Sequence, residues 1–405
     1  MRLTELITIR REELPSLGWL QLVTDEGIVG LGETCLHLDA VEGYLHEVAA
    51  PRLLGEEPRD IERHARRLYD SFTGWGGSGA ETKGNSAVDV ALWDILGQSL
   101  GQPLYRLLGG RCRESIRTYN TCAGPWYGQV RAAEPIHNWN LPADGVDLSA
   151  YEDLDAFLHR AGELAENLLA EGLTAMKIWP FDSAALAHDG LSISADEMRA
   201  AIEPIEKVRT AVGDRMDIMV ELHALWKPGP AKAIARALED YAPYWVEDAV
   251  KLDDMLAVSR FIDSTPLPCT FGETIGTRAR YYELLERCDL GYLMLDLGWC
   301  GGLSEAKKVA ALAELHGVPI APHDCTGPIG LTAGTHLAIS TPNAVLQESV
   351  RAFYRGWYRD LVTVLPAVVD GMISPPDGPG LGTALQPDVL ERAGSRVRRT
   401  RLEDL

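Results

Sequence analysis

Met216-Asp-Ile-Met-Val220, running into Glu221-Leu222-His223, is the stretch on which the fold turns. Met216 to Val220 is mostly apolar and reads as a buried strand. Just past it an acid and an imidazole stand two residues apart, a spacing that lets both side chains point the same way. The arrangement recurs in variation. Tyr244-Trp245-Val246 ends in Glu247, Cys269-Thr270-Phe271-Gly272 in Glu273, and Tyr292 to Leu295 in Asp296. Val318 to Pro322 ends in His323, and Val345-Leu346-Gln347 in Glu348. A lone acid after a strand is ordinarily a helix cap or a solvated loop end. Six at similar spacing point instead to a parallel barrel, in which the C-terminal ends of all strands surround one mouth.

Outward from this stretch, strands and helices alternate. Upstream lie Ile116 to Asn120, a helix over 151–171, a strand Thr174 to Ile178 holding Lys177, and a helix over 195–212. Downstream, helices near 230–240, 254–263, 278–287, 303–316 and 330–340 separate the remaining strands, giving the eight strands of a (β/α)8 barrel. Between Pro125 and Asp147 lies a long insert without periodicity, carrying Trp126, Tyr127, His137 and Trp139; such length in a compact domain suggests a lid. Ahead of the barrel, residues 3–35 read as a small antiparallel sheet turning at Asp25-Glu26-Gly27. Helices follow over 39–54, 58–72 and 82–100, with a glycine-rich loop at Ser71 to Gly79 that lacks a phosphate-loop ending and suits a site cover. The expected organisation is therefore an α/β chain: an α+β capping domain over 1–114, a (β/α)8 barrel over 115–352, and a Gly- and Pro-rich tail over 353–405 running back over the small domain.

Composition restricts partners. The chain has 405 residues, enough for a large core, and 59 acids against 38 Lys plus Arg give a net charge of −21. That balance argues against nucleic acid or an anionic membrane surface. No apolar run reaches the length of a membrane span, and Met1 is followed by no signal-like apolar core. Seven scattered cysteines without Cys-x-x-Cys suit a reducing cytoplasm better than a disulfide or zinc framework.

Glu221, Glu247 and Glu273 are twenty-six residues apart each time. At the ends of consecutive barrel strands they would converge, repel, and rise in pKa unless a cation relieved them. All-oxygen ligation with room for water and substrate suits Mg²⁺ better than Zn²⁺. Asp248 would stand behind Glu247. A metal in that place would hold a substrate carboxylate and stabilise the enediolate formed when the neighbouring carbon loses its proton. The base is sought among His323, Lys177 and His223, with Asp296 as the orienting partner of His323. Lys177 would contact the substrate carboxylate or act as a second base. Glu348, if protonated, would donate to the enediolate oxygen.

These residues, with Ala87-Val-Asp-Val-Ala-Leu-Trp-Asp94, Leu107-Leu-Gly-Gly110 with Arg111, Gly172 to Lys177, Leu295-Asp-Leu-Gly with Gly301-Gly302, and Ala321-Pro-His323, resemble the enolase superfamily, mandelate racemase subgroup, over nearly the whole chain. The resemblance implies a capping domain on a barrel, Mg²⁺ at Glu221, Glu247 and Glu273, a His323–Asp296 base dyad, Glu348 on the eighth strand, and a symmetric homo-oligomer. It also implies specificity loops around Leu14 to Trp19 and Phe72 to Ala80. Trp19, Trp75 and Trp179, with His223, His323 and Glu348, are the expected substrate contacts. Two departures bear on the reaction. The second strand reads Lys177-Ile178-Trp179, where the family often has Lys-x-Lys, which disfavours a two-base racemase. The third reads Glu-x-His, where acid-sugar dehydratases of the family carry Asp-x-His, and that match makes His223 the general acid. The expected activity is dehydration of an aldonate or aldarate to a 2-keto-3-deoxy acid. An epimerase, racemase or cycloisomerase on the same site, and a non-catalytic metal-binding barrel, are the alternatives.

Overall fold

The structure, a computed structural model, describes residues 1–70, 79–127, 129 and 151–405. The alternating residues around Asp25-Glu26-Gly27 form the expected hairpin, β2 (Leu14–Thr24) returning as β3 (Val29–Cys35). Gly27 takes φ +81° at its tip, where a side chain would be strained. β1 (Leu3–Arg11) pairs antiparallel with β2. Gly30 and Gly32 let β3 lie directly on the helix Ala80–Leu100: a Cβ at either would come within 2.1 Å of a backbone oxygen of Ala91 or Ala87.

One expectation is corrected here. Leu14 to Trp19 is not a loop. Only Glu12 and Glu13 separate β1 from β2, and the register Ile9 opposite Trp19 carries this stretch across the sheet, with Leu14, Leu17 and Trp19 buried.

The barrel strands follow as β4 (Ile116–Thr121), β5 (Ala175–Ile178), β6 (Asp217–Glu221), β7 (Trp245–Glu247), β8 (Cys269–Phe271), β9 (Tyr292–Leu295), β10 (Ile320–Pro322) and β11 (Gln347–Ser349). Each of β4 to β9 pairs in parallel with the next, and β11 pairs in parallel with β4. The ring closes just before β11: the Ile320 amide donates to Asn343 O (2.9 Å) and Val345 N donates to Ile320 O (3.0 Å). Helices intervene as the apolar stripes predict, among them Ala195–Val212, Arg278–Arg287 and Gly302–Leu315. The helix expected over 151–171 is two, Asp153–His159 and Ala161–Ala170, broken at Arg160, whose φ of −138° is not helical. Tyr119, Ala175, Met219, Trp245, Met294, Ala321 and Leu346 form one buried cluster that fills the barrel below its mouth.

The tail does two things. Its hairpin, β12 (Ala367–Val369) and β13 (Met372–Ser374), extends the barrel sheet antiparallel to the start of β4, which the sequence did not suggest. It then crosses to the small domain, where Leu381 N donates to Asp94 Oδ1 (2.8 Å) and β14 (Ser395–Arg401) completes the order β14-β1-β2-β3. All seven cysteines are free thiols. Among the described residues no helix is long and apolar enough to cross a membrane.

Candidate active site

Parallel strands carry their last side chains to one mouth, and this barrel gathers there the residues singled out above. Glu221 and Glu247 are the last residues of β6 and β7 and stand in register. Glu273 lies two residues past β8. All three are buried, and carboxylate oxygens, one from each, lie within 4.8 Å of one another. Burial, followed by the charge of Glu221, pushes Glu247 well up, and burial raises Glu273 as well. Three such groups held together on stiff strands form a preorganised all-oxygen cage, the donor set of a hard divalent cation. Asp248, behind Glu247, is buried with Oδ1 unpartnered among the described residues, and burial then Glu273 push it far up.

Lys177, on β5, has its ammonium 2.7 Å from Glu247 Oε1, 2.8 Å from Glu348 Oε1 and 3.5 Å from Glu221 Oε2. Burial works against its charge, but Glu247 and Glu348 outweigh this and hold it protonated. Glu348, on β11, accepts from Thr121 and from the Asp324 amide (3.0 Å). Burial opposes its ionisation, yet Lys177 and His323 bring it below the usual carboxylate range. Its two oxygens accept these hydrogen bonds in the structure, between the Lys177 ammonium and His323. The Trp245 indole donates to Glu247 Oε2 (2.7 Å), so this carboxylate is held from both sides.

His323, one residue past β10, donates from Nδ1 to Asp296 Oδ2 (2.7 Å), just past neighbouring β9. Its Nε2 faces Glu273 Oε2 at 3.3 Å and Glu348 Oε2 at 3.7 Å. Burial would lower its pKa, but Glu273, Glu348 and Asp296 raise it well above the ordinary value. Trp299 lies against this imidazole, ring centres 5.3 Å apart, with its own N–H on Cys35 Sγ (2.9 Å) at the end of β3. The capping sheet also reaches the barrel through Glu33, which accepts from Trp19 Nε1 (3.0 Å) and Gly330 N (2.8 Å) at the head of the helix Pro328–Ser340. Burial raises Glu33 to about 7.

His223 is placed differently from the simple alternation expected of a strand. β6 ends at Glu221, and His223 and Ala224 take left-handed φ of 48° and 54°. Such backbone costs on the order of 1–3 kcal/mol for a non-glycine residue and gathers at functional sites. The His223 amide donates to Glu221 Oε1 (2.6 Å), tying the turn to the cage. Nδ1 lies 2.7 Å from Asp182 Oδ2, and Nε2 lies 3.1 Å from the Tyr127 hydroxyl. Burial opposes protonation here, but Asp182 and Glu221 raise the imidazole to about 9.

Lys177, Glu221, Glu247, Glu273, Asp296, His323 and Glu348 are therefore brought together, with His223 beside them. Trp179 is buried, its ring edge-on to His223 (5.7 Å) and packed on Tyr127 and Phe157. Trp19 is buried too, at the interface through Glu33. Trp75, Trp139 and His137, with most of the 125–147 insert and of the Phe72 to Ala80 loop, lie outside the described residues. Asp182, Trp245, Trp299, Thr121 and Glu33 went unnoticed in the sequence. The signal open to a reader was position alone, since Asp182 follows β5 by four residues and Trp299 follows Asp296 by three.

Residues 160–389 match the family described as Enolase C-terminal domain-like, and residues 8–109 match the Mandelate racemase / muconate lactonizing enzyme, N-terminal domain. A crystal structure of an enolase of the mandelate racemase subgroup from Agrobacterium tumefaciens superimposes with a TM-score of 0.88, at 45% identity and 100% coverage of both chains. A D-galactonate dehydratase of Ralstonia nicotianae is 31% identical, covering 98% of this chain and 95% of its own. A D-xylonate dehydratase of Haloferax volcanii is 29% identical, covering 92% and 84%. With both family matches and the strand-end constellation in place, the chain belongs to the enolase superfamily, in the mandelate racemase/muconate lactonizing enzyme subgroup.

Proposed function

We propose that the chain is a Mg²⁺-dependent dehydratase of an aldonate or aldarate, yielding a 2-keto-3-deoxy acid. One observation carries the reading: two imidazoles flank a single buried carboxylate cage, each with an aspartate on Nδ1 and Nε2 turned the other way. Elimination of water needs a base at one carbon and an acid at the hydroxyl of the next, which two such imidazoles supply. The dehydratase names of the galactonate and xylonate relatives support the same class.

Glu221, Glu247 and Glu273 would hold the cation, and its chemistry there is charge stabilisation of the substrate's enediolate oxygens. His323 Nε2 takes the α-proton: a cation held by Glu273 would offset the carboxylate charge that favours the protonated imidazole, and Asp296 fixes the tautomer and stabilises the imidazolium formed in the step. The Lys177 ammonium adds fixed positive charge beside the carboxylate end. Glu348 keeps that ammonium and the backbone after His323 in place. As the enediolate collapses, the Cβ–O bond breaks and His223 Nε2 protonates the departing hydroxyl, which leaves as water. The enol then tautomerises to the 2-keto acid. We read the working unit as a symmetric homo-oligomer, a reading that a monomeric sedimentation profile would end.

The test is a library of aldonates and aldarates incubated with protein and Mg²⁺, assayed with semicarbazide for 2-keto acids and run in parallel in D₂O. A 2-keto acid from one sugar acid, with water lost by mass, is the expected result. Deuterium entering the α-carbon without a keto acid would make the enzyme an isomerase, and silence in both assays would remove the activity altogether.

A further inference from the structure

The dehydratase reading leaves one half of the site without an account of its geometry. His323 is held by Asp296, one barrel strand away. His223 stands beyond the end of its own strand, on a left-handed turn whose backbone leaves the ring's orientation to side-chain contacts. We infer that Asp182 is the positioning residue of the acid: it fixes the His223 ring so that Nε2 faces the departing hydroxyl. This rests on the dehydratase reading.

Three observations support it. First, Asp182 is 2% exposed, with Oδ2 on His223 Nδ1 at 2.7 Å and Oδ1 buried without a hydrogen-bond partner among the described residues. A half-satisfied buried carboxylate is destabilising, so its presence is explained by what its bonded oxygen does. Second, with Nδ1 engaged, Nε2 is the nitrogen left to act, and an oxygen of hydroxyl type, that of Tyr127, already sits 3.1 Å from it. Nε2 thus already engages a hydroxyl at hydrogen-bond distance, a position that the substrate's hydroxyl would take over from Tyr127. Third, the two halves match. Asp296 follows β9 and serves the histidine after β10; Asp182 follows β5 and serves the histidine after β6. Each aspartate comes from the segment that follows the adjacent strand, Asp182 opening the short helix Asp182–Ala187, and Trp179, edge-on at 5.7 Å, packs against His223 as Trp299 packs against His323.

In the elimination the proton passes from His223 Nε2 to the leaving oxygen as the Cβ–O pair departs with it. The imidazole is left neutral, with its remaining hydrogen on Nδ1 toward Asp182. Without Asp182 the ring loses both its orientation and the preference for that tautomer, while removal of the α-proton by His323 is untouched.

The test compares wild type with Asp182→Asn and Asp182→Glu in two assays on one sugar acid: keto-acid formation, and exchange of the α-hydrogen in D₂O. In Asp182→Asn, kcat for dehydration is expected to fall about 10²–10⁴-fold, the range of a general acid, with KM and α-exchange changed less than about threefold. Asp182→Glu should regain about tenfold or more, since it restores the carboxylate. A parallel fall in exchange and dehydration, or wild-type dehydration in the asparagine variant, overturns the inference. A second measurement stands apart from turnover. Proton spectra of the ¹⁵N-histidine-labelled protein should show a far-downfield Nδ1 proton that vanishes both in Asp182→Asn and in His223→Asn. Its absence from the wild type overturns the Asp182 contact even if dehydration is found. Its presence in a protein that exchanges the α-hydrogen without making keto acid leaves the contact standing but removes the acid role together with the dehydratase reading.

Discussion

Replacing Lys177 with methionine isolates the electrostatics on which the site depends. Methionine keeps most of the stem's packing and deletes the charge. The ammonium lies 2.7 Å from Glu247 and 2.8 Å from Glu348, and all three groups are buried. At an effective dielectric of about 20, each contact corresponds to roughly 6 kcal/mol of Coulomb attraction. That gross figure is not the net effect, because removing the ammonium also removes its own desolvation penalty. Breaking a buried pair by deleting one partner typically costs about 3–5 kcal/mol, and that is the expected loss. Equilibrium urea unfolding, followed by tryptophan fluorescence at pH 8 in EDTA, measures it. Two further results are expected. Adding Glu348→Gln to the variant should restore about 1 kcal/mol or more, since one of the uncompensated charges is gone. Mg²⁺ should raise the midpoint of Lys177→Met more than that of wild type, because a bound cation replaces the missing positive charge. A loss below about 1 kcal/mol, the level of an exposed ion pair, would refute the reasoning.

Acid stability carries a second prediction, remote from the site. His336 is fully buried, accepting the Tyr105 amide at Nδ1 (3.3 Å) and donating from Nε2 to Leu381 O (3.1 Å), and burial lowers its pKa from 6.5 to about 4. The folded state therefore binds this proton less readily than the unfolded chain. Its contribution is complete above pH 6.5 and is lost as pH falls toward 4, about 3 kcal/mol in all; urea midpoints of His336→Gln should show a loss between pH 7 and 4 smaller by that amount. Tyr127→Phe, tested by steady-state kinetics on the active sugar acid, should lower KM about two- to tenfold with kcat little changed, because the substrate hydroxyl no longer displaces a competing hydrogen bond. A collapse of kcat would instead make Tyr127 a proton donor.

The regular parts of the molecule were legible in its sequence because period and burial are local. Apolar runs closed by Glu221, Glu247, Asp296 and His323 announced parallel strands with polar ends, and the helix Ala195–Val212 carries its own apolar stripe and a Ser194–Glu197 capping box. The carboxylate cage was legible for the same reason, since three acids one repeat apart can only meet if the strands are neighbours in a ring. Residues joined through space were not. Nothing near Asp182 separates it from the other acids until β5 and β6 lie side by side, and nothing near Trp299 foretells its packing on His323 and its hydrogen bond to Cys35.

Local chemistry, then, determined what the strands carry: the acids, the lysine, the imidazoles and the order in which they come. Tertiary structure decided how they act. It turned His223 on a left-handed backbone where alternation alone would have aimed it differently. It set Glu348 between Lys177 and His323 in a buried space, which favours its charged form. It also drew Leu14 to Trp19 out of the expected loop and into β2, and laid the tail along both sheets. Hydrogen bonds, burial and charge between residues far apart in the chain depend on distances that exist only once the barrel has closed.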